Sequence, residues 1–188
     1  MISNFESVFP SPNVLNALRK RVQPCQKADL VGGVVRDALL GLENHDLDFV
    51  VSGDVRRLAK QVANDLGAAF YMMDLEHQTA RVVCQGEKSR QYKLDFSAMR
   101  VADIDQDLAA LDFSINAMAV EIEDLERIID PLRGSQHRKD RRLRAFSPTA
   151  FRDDPVRLLR AVRHAVALQL SMDSNTINWL KEASADLP

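Results

Sequence analysis

Residues 46–51, Asp-Leu-Asp-Phe-Val-Val, set two carboxylates into an apolar run. A short apolar run bounded by polar residues reads as a buried strand. Side chains at i and i+2 of a strand share a face. Asp46 and Asp48 therefore project together, while Leu47, Phe49 and Val51 point into a core. Two acids side by side on a strand repel each other, so something positive has to hold them. Mg²⁺ is the expected ion.

The stretch just upstream adds a second constraint. Ala28–Val31 reads as a short strand running into Gly32-Gly33, and Val34, Val35, Ala38, Leu39 and Leu40 as a helix closed by Gly41. Glycines let a backbone approach an anion closely, and the free N–H groups of a helix start favour negative charge. Arg36, one turn into the helix, offers a charged fork to the same phosphates. A plain tight turn would leave the same trace. Neither GxGxxG nor GxxxxGK[ST] is present, so Rossmann and P-loop readings fail at the motif.

The whole chain sets looser bounds. Its 188 residues suffice for one sizeable core, or for one domain plus part of another. A net charge of −2 excludes a generally basic binder but leaves room for a local basic groove. Cys25 and Cys84 have no CxxC spacing and read as reduced thiols of a cytoplasmic protein. The stretch Met1–Pro12, with Glu6, lacks the apolar core of a secretory leader. No apolar run approaches the roughly 18 residues of a membrane span, so no membrane partner is expected.

Taken in order, a loose lead-in gives way to a helix over about 12–22. After the Asp46–Val51 strand, Ser52-Gly53-Asp54 forms a turn with an N-cap, followed by an amphipathic helix over 55–66. Ala68–Met73 and Thr79–Cys84 read as strands, with a polar turn at Gln85–Ser89. Gln91–Phe96 alternates, placing Asp95 on a polar face, as a solvent-facing acid or as a third partner to Asp46 and Asp48. Residues 103–110 look helical, and 112–120 read as a turn or short helix leading into a strand. There Asp112 as a cap and Asn116 as a local backbone partner are the plain roles. Another short strand ends at Asp130-Pro131.

Arg133, Arg138, Lys139, Arg141, Arg142 and Arg144 form a basic cluster, which is a solvated helix by default and an RNA-phosphate contact as the sharper alternative. Asp153-Asp154-Pro155 is a helix start. Leu158, Leu159, Val162 and Val166 are the expected buried stripe of that helix. Asp154, Arg157, Arg160 and Arg163 follow at i+3 steps beside it, a pattern that ordinary surface pairing also produces. Residues 174–184 begin one more helix.

With these pieces in view, the chain resembles the class II tRNA nucleotidyltransferase/bacterial poly(A) polymerase family. The matching stretches are 32–41 (Gly-Gly-Val-Val-Arg-Asp-Ala-Leu-Leu-Gly), Asp46-Leu-Asp48, 112–119 (Asp-Phe-Ser-Ile-Asn-Ala-Met-Ala), Asp130-Pro131 and 151–163. The resemblance implies an α/β (mixed α+β) fold: a polymerase-β-like palm forming a nucleotidyltransferase head, then the start of an all-helical neck. In residue ranges this gives a lead-in over 1–26, a head over 27–146 and a truncated neck over 147–188. It implies template-independent addition of C or A, from CTP or ATP, to the 3′ end of tRNA or another RNA. Asp46 and Asp48 would bind two Mg²⁺ ions about 3.5–4 Å apart, with Asp95 as the third acid. Gly32, Gly33 and Arg36 would hold the triphosphate, and Asp112 and Asn116 would lie near the ribose. Asp154, positioned by Asp153, and Arg157 would read the base, with Arg160 and Arg163 facing the triphosphate or supporting the pocket.

Departures from the pattern are specific. Ala110 and Leu111 stand where family members commonly carry one or two arginines, and Arg133-Gly134 replaces a usual Gly-Gly. The family's helical body beyond the neck is not in this chain. These features motivate a second reading, a nucleotide- or RNA-binding module without turnover. The motifs are shared by CCA-, CC-, A- and poly(A)-adding enzymes, so they do not choose among them. The dipeptide His45-Asp46 alone suggests an HD-type metallophosphohydrolase, and no histidine precedes it to complete that ligand set.

Overall fold

The computed structural model describes residues 5–86 and 89–185. Parts of the expected lead-in and of the Gln85–Ser89 turn lie outside the described residues. The elements are α1 (Pro12–Arg21), β1 (Ala28–Val31), α2 (Gly33–Leu40), β2 (Asp46–Val51), α3 (Val55–Leu66), β3 (Ala69–Asp74), β4 (Thr79–Gln85), β5 (Gln91–Ala98) and α4 (Ile104–Ala109). After a 3₁₀ turn at Ser114–Asn116 come β6 (Ala119–Glu121), β7 (Ile128–Ile129), α5 (Gly134–Lys139) and β8 (Arg142–Leu143). The chain then forms α6 (Ala150–Asp153), α7 (Val156–Ala167), β9 (Ser171–Met172) and α8 (Ser174–Ala185). This is the expected mixed α/β class, in two compact units.

The first unit comprises Met1–Asp107 and Ala119–Ile129. Its seven strands run in the order β3-β4-β5-β2-β1-β6-β7. The β2–β5 pair is parallel and the others antiparallel. Period-two alternation sorts the strands into two faces. Leu30, Leu47, Phe49, Val82, Leu94 and Phe96 are all fully buried on one of them, and α3 packs against β4 there. Phe49 stacks on Phe96 with ring centroids 5.1 Å apart. Each such side chain stabilises the fold by about 1.5–3 kcal/mol relative to exposure. The helix α3 starts where the sequence says it should: the Asp54 carboxylate accepts from the Arg57 backbone N–H at 2.8 Å. It ends at Gly67, which takes the left-handed φ of 58° that favours glycine.

The second unit comprises Leu108–Met118 and Asp130–Pro188. Its core is Phe113, Ile115, Leu143, Ala145, Phe151, Leu158, Ala161 and Ala183. Residues 113–118 and 130–145, assigned to the head by resemblance, thus pack with the helices that follow them. Gly134 fits only because it has no side chain: a Cβ there would stand 2.1 Å from the Ser114 carbonyl oxygen.

Two expectations for this unit need correcting. Leu159, Val162 and Val166 are exposed, at 75%, 51% and 74%, so they do not form the buried stripe of α7. Leu158, Ala161 and His164 are the buried residues of α7 instead, with Ala165 and Leu168 partly buried against the same core. Counting large apolar residues chose the wrong face, because the inner one is built from alanine and a hydrogen-bonded histidine. The basic run is likewise not one solvated helix. The helix α5 ends at Lys139, Arg141 turns left-handed at φ 52°, and Arg142 enters β8, parallel to β9. Among the described residues, no helix is long and apolar enough to cross a membrane.

Candidate active site

The second face of the sheet carries the acids. Strand register places Asp48 directly abreast of Asp95 across β2 and β5, Asp46 abreast of Lys93, and Arg81 on β4 abreast of Asp95. Asp46, Asp48 and Asp95 therefore share one face, the triad alternative left open by sequence. Two cations sit among them. Lys93 Nζ lies 3.2 Å from Asp46 Oδ1. The Arg81 guanidinium grips Asp95 with both prongs, Nε to Oδ1 and Nη2 to Oδ2, each at 2.6 Å. That hydrogen bonding holds the Arg81 guanidinium above its ordinary pKa against partial burial, with the charges of Asp95, Asp46 and Asp48 adding to it.

The glycine turn meets this face. Gly32 has φ 77° and ψ −136°, a backbone that a side chain would strain. A Cβ at Gly32 would stand 3.8 Å from Asp48 Oδ2. The turn and the acid pair, separate features in the sequence, are thus neighbours. Arg36 is nearly buried and donates from Nε to Asp37 Oδ1 at 2.8 Å. Asp37 Oδ2 accepts from Asn44 Nδ2 at 2.7 Å, and Asn44 Oδ1 from the Asp46 backbone N–H at 2.8 Å. This relay ties the start of α2 to the first residue of the acid-bearing strand. Arg36 Nη2 lies 3.4 Å from where a Gly33 Cβ would be, so its charge sits at the glycine turn.

The donor set tests the expected metal. Among the described residues, no three His, Cys, Asp or Glu side chains are grouped to hold an ion. Asp46 and Asp48, both exposed on β2, offer carboxylate oxygens alone. Mg²⁺ characteristically takes one or two carboxylates, substrate phosphates and several waters, which this pair fits.

The second unit holds the remaining expected residues. Asp112, only 5% exposed, accepts from the Phe113 backbone N–H at 2.8 Å, Asn116 Nδ2 at 2.9 Å and Arg160 Nε at 2.6 Å. Asn116 Nδ2 also lies 3.5 Å from His164 Nε2, whose ring meets Phe113 edge-on. Asp112, Asn116 and Arg160 are therefore brought together, in a network that sets the loop against α7. Arg157 Nε stands 3.8 Å from Asp154 Oδ2, side by side at the start of α7, while Arg157 Nη2 donates to the Ala110 carbonyl at 3.3 Å. Asp153 accepts from Thr149 Oγ1 at 2.9 Å, bracing α6, and Arg163 is exposed.

The basic residues are dispersed. Lys139, Arg141 and Arg142 are exposed, Arg144 lies 3.6 Å from Asp173, and Arg138 Nε is buried without a hydrogen-bond partner.

Sequence reasoning passed over Arg81, Lys93, His137 and His164. Arg81 and Lys93 matter only through register, which no single strand reveals. His137 Nδ1 lies 3.0 Å from Ser114 Oγ. Burial first, then the Arg144 charge, pulls its imidazole below the usual histidine range.

Comparison with known proteins places this arrangement. Residues 28–144 match the family defined by the poly(A) polymerase head domain. The chain belongs to that family. Among its relatives, the A-adding tRNA nucleotidyltransferase of Aquifex aeolicus is 38% identical over 173 residues, covering 84% of this chain and 20% of the relative. The CC-adding tRNA nucleotidyltransferase of Geobacter sulfurreducens is 40% identical over 147 residues, covering 78% of this chain and 33% of the relative. A solved tRNA nucleotidyltransferase complexed with a primer tRNA and an incoming ATP analogue superposes with a TM-score of 0.78 at 37% identity, over 92% of this chain and 50% of that one. A CCA-adding enzyme with CTP gives 0.79 at 28% identity, over 93% of this chain and 46% of that one. The poly(A) polymerase head-domain chain described here thus spans half or less of each of these relatives.

Proposed function

We propose that this chain carries the catalytic head and the base-selecting start of the neck of a template-independent RNA nucleotidyltransferase. It would add C, A or both, from CTP or ATP, to a tRNA 3′ end. The observation that carries the reading is the nearness of the Gly32 turn to Asp48, where an added Cβ would stand 3.8 Å from Oδ2, so that a glycine turn lies beside a carboxylate pair. Such a surface suits a triphosphate and a divalent cation together.

Asp46 and Asp48 are the residues that would hold Mg²⁺, with Asp95 the third acid of the face. When bound, Mg²⁺ in a two-ion arrangement supplies Lewis-acid polarisation of the attacking RNA 3′-hydroxyl and stabilises the departing pyrophosphate. Gly32 and Gly33 allow phosphate oxygens near the α2 backbone N–H groups, and Arg36 adds positive charge at that turn. Asp112 and Asn116 act through the loop that they fix, with Arg160 as the clamp.

Base choice falls to the Asp154–Arg157 pair. Asp154 only accepts hydrogen bonds and Arg157 only donates. Cytosine and adenine both present an amino donor beside a ring-nitrogen acceptor on the Watson–Crick edge. Uracil and guanine reverse that pattern, so the pair favours C and A with no nucleic-acid template. Lys139, Arg141 and Arg142, together with Arg138 and Arg144, supply positive charge for RNA phosphates. Bacterial poly(A) addition uses the same chemistry on a different RNA and is the alternative within this reading.

The deciding experiment incubates the full-length protein with labelled ATP or CTP and tRNAs ending before the terminal CCA, after CC, or with unrelated RNA. Incorporation that disappears in the Asp46→Ala/Asp48→Ala variant is expected, and the RNA that is extended separates the specificities. Activity surviving that double substitution refutes the reading. Calorimetric binding of ATP with no turnover on any acceptor would favour the module that binds without catalysis.

A further inference from the structure

Residues 41–45 connect the helix that carries Arg36 to the strand that carries Asp46 and Asp48. The β1 ladder ends at the pairing of Val31 with Asp48, so the Asp46 backbone N–H lies beyond it. Asn44 takes up that N–H through Oδ1 at 2.8 Å. The same amide donates from Nδ2 to Asp37 Oδ2 at 2.7 Å. Its orientation is forced, because a backbone N–H only donates and an ionised carboxylate only accepts. Asp37 receives Arg36 on its other oxygen, with Nε at 2.8 Å and Nη2 at 2.7 Å from Oδ1. The Leu42 backbone N–H donates to the Asp37 carbonyl at 2.9 Å, which holds the connection against α2. The Arg36 and Asp37 side chains are only 11% and 13% exposed, so solvent screens this pair less than a surface one. Lys93 meets the Asp46 carboxylate, and Asn44 meets its backbone.

We infer that Asn44 and Asp37 are positioning residues that lock the glycine turn to the acid strand, so that one chain of hydrogen bonds sets both Arg36 and Asp46. Asn44 is the link because its amide offers an acceptor to one side and a donor to the other. Alanine at this position would leave the first residue of β2 without its anchor and Asp37 with Arg36 alone. This inference rests on the reading that Arg36 faces phosphate and Asp46 holds a divalent cation.

The test measures two ligands separately on the full-length protein. Mn²⁺ is titrated without nucleotide and followed by the electron paramagnetic resonance of the free ion; ATP is titrated at saturating Mn²⁺ by calorimetry. Asn44→Ala removes both hydrogen bonds without changing charge, and should weaken each affinity about three- to tenfold. The exchange variant Asp37→Asn/Asn44→Asp keeps the net charge and rebuilds the relay with its donor and acceptor reversed. It should return both affinities to within about twofold of wild type. Asp37→Asn alone should not, since two amide NH₂ groups then oppose each other.

Three results overturn the inference. One is an Asn44→Ala protein with a lowered thermal midpoint but wild-type affinity for both ligands, the mark of a merely structural turn. Another is a loss confined to one ligand, which makes Asn44 a local cap with no reach to the other half of the site. The third is a folded exchange variant that binds as weakly as Asp37→Asn, and this comparison decides even if Asn44→Ala does not fold. Failure of the underlying reading looks different: Mn²⁺ binding would be unchanged by Asp46→Asn, and ATP binding by Arg36→Met.

Discussion

Asp112 offers the sharpest test of how the second unit is held together. Replacing it with alanine removes the acceptor for three donors: the Phe113 backbone N–H, Asn116 Nδ2 and Arg160 Nε. Phe113 is fully buried, so its backbone N–H loses its acceptor away from water, while Asn116, 4% exposed, keeps a longer 3.5 Å approach of Nδ2 to His164 Nε2. Each stranded donor costs about 1–3 kcal/mol. The Arg160 side chain is 43% exposed and can turn to solvent, so its share is only about 1 kcal/mol. With partial relaxation, Asp112→Ala should cost about 2–5 kcal/mol, whereas Arg160→Met should cost about 1–2 kcal/mol because Asp112 keeps its two inner donors. Urea unfolding at constant pH, with both variants showing the wild-type m-value, reads the difference directly. An Asp112→Ala loss below about 1 kcal/mol, or one equal to that of Arg160→Met, would refute the assignment of the buried donors as the main term.

Further outcomes are expected elsewhere. Asp29 is fully buried with neither carboxylate oxygen hydrogen-bonded, and burial, then the Glu121 charge, raises its pKa from 3.8 to about 6 against the opposing charge of Lys27. Between pH 4 and 6 the native state therefore holds a proton that the unfolded chain has lost, so stability falls as pH rises through that window and levels off above it. Asp29→Asn should flatten that fall and raise the unfolding midpoint at pH 7.5 but not at pH 4; equal midpoints at pH 7.5 would refute it. Gly134→Ala drives a Cβ to 2.1 Å from the Ser114 carbonyl oxygen, and should lower the thermal midpoint by several degrees for an overpacking cost of about 1–3 kcal/mol. On α7, Leu159→Lys should change stability by less than about 0.5 kcal/mol while Ala161→Leu costs about 1–3 kcal/mol; the reverse order would restore the stripe of large apolar residues. Arg157→Ala should blur the choice of base in single-nucleotide incorporation while leaving Mn²⁺ affinity within about twofold; unchanged selectivity would sink the pairing scheme.

Much of this architecture was legible before any coordinates. Alternation and turn residues located β1, β2 and α3 to the residue, because strand period, the Asp54 cap and the glycine stops are local signals. The acids at 46 and 48 declared a shared face through the same period, and the order of motifs named the family. What the sequence could not show was which residues face each other across strands. Register set Arg81 against Asp95 and Lys93 against Asp46, placing two cations among the three acids. The helical face failed for a related reason: α7 buries alanine and histidine because a close helix contact and a hydrogen bond to Asn116 matter more there than side-chain size. Local chemistry thus determined the elements and the residues that can act. Long-range pairing alone decided which charged groups meet across the acid face, since strand neighbours distant in sequence leave no periodic trace.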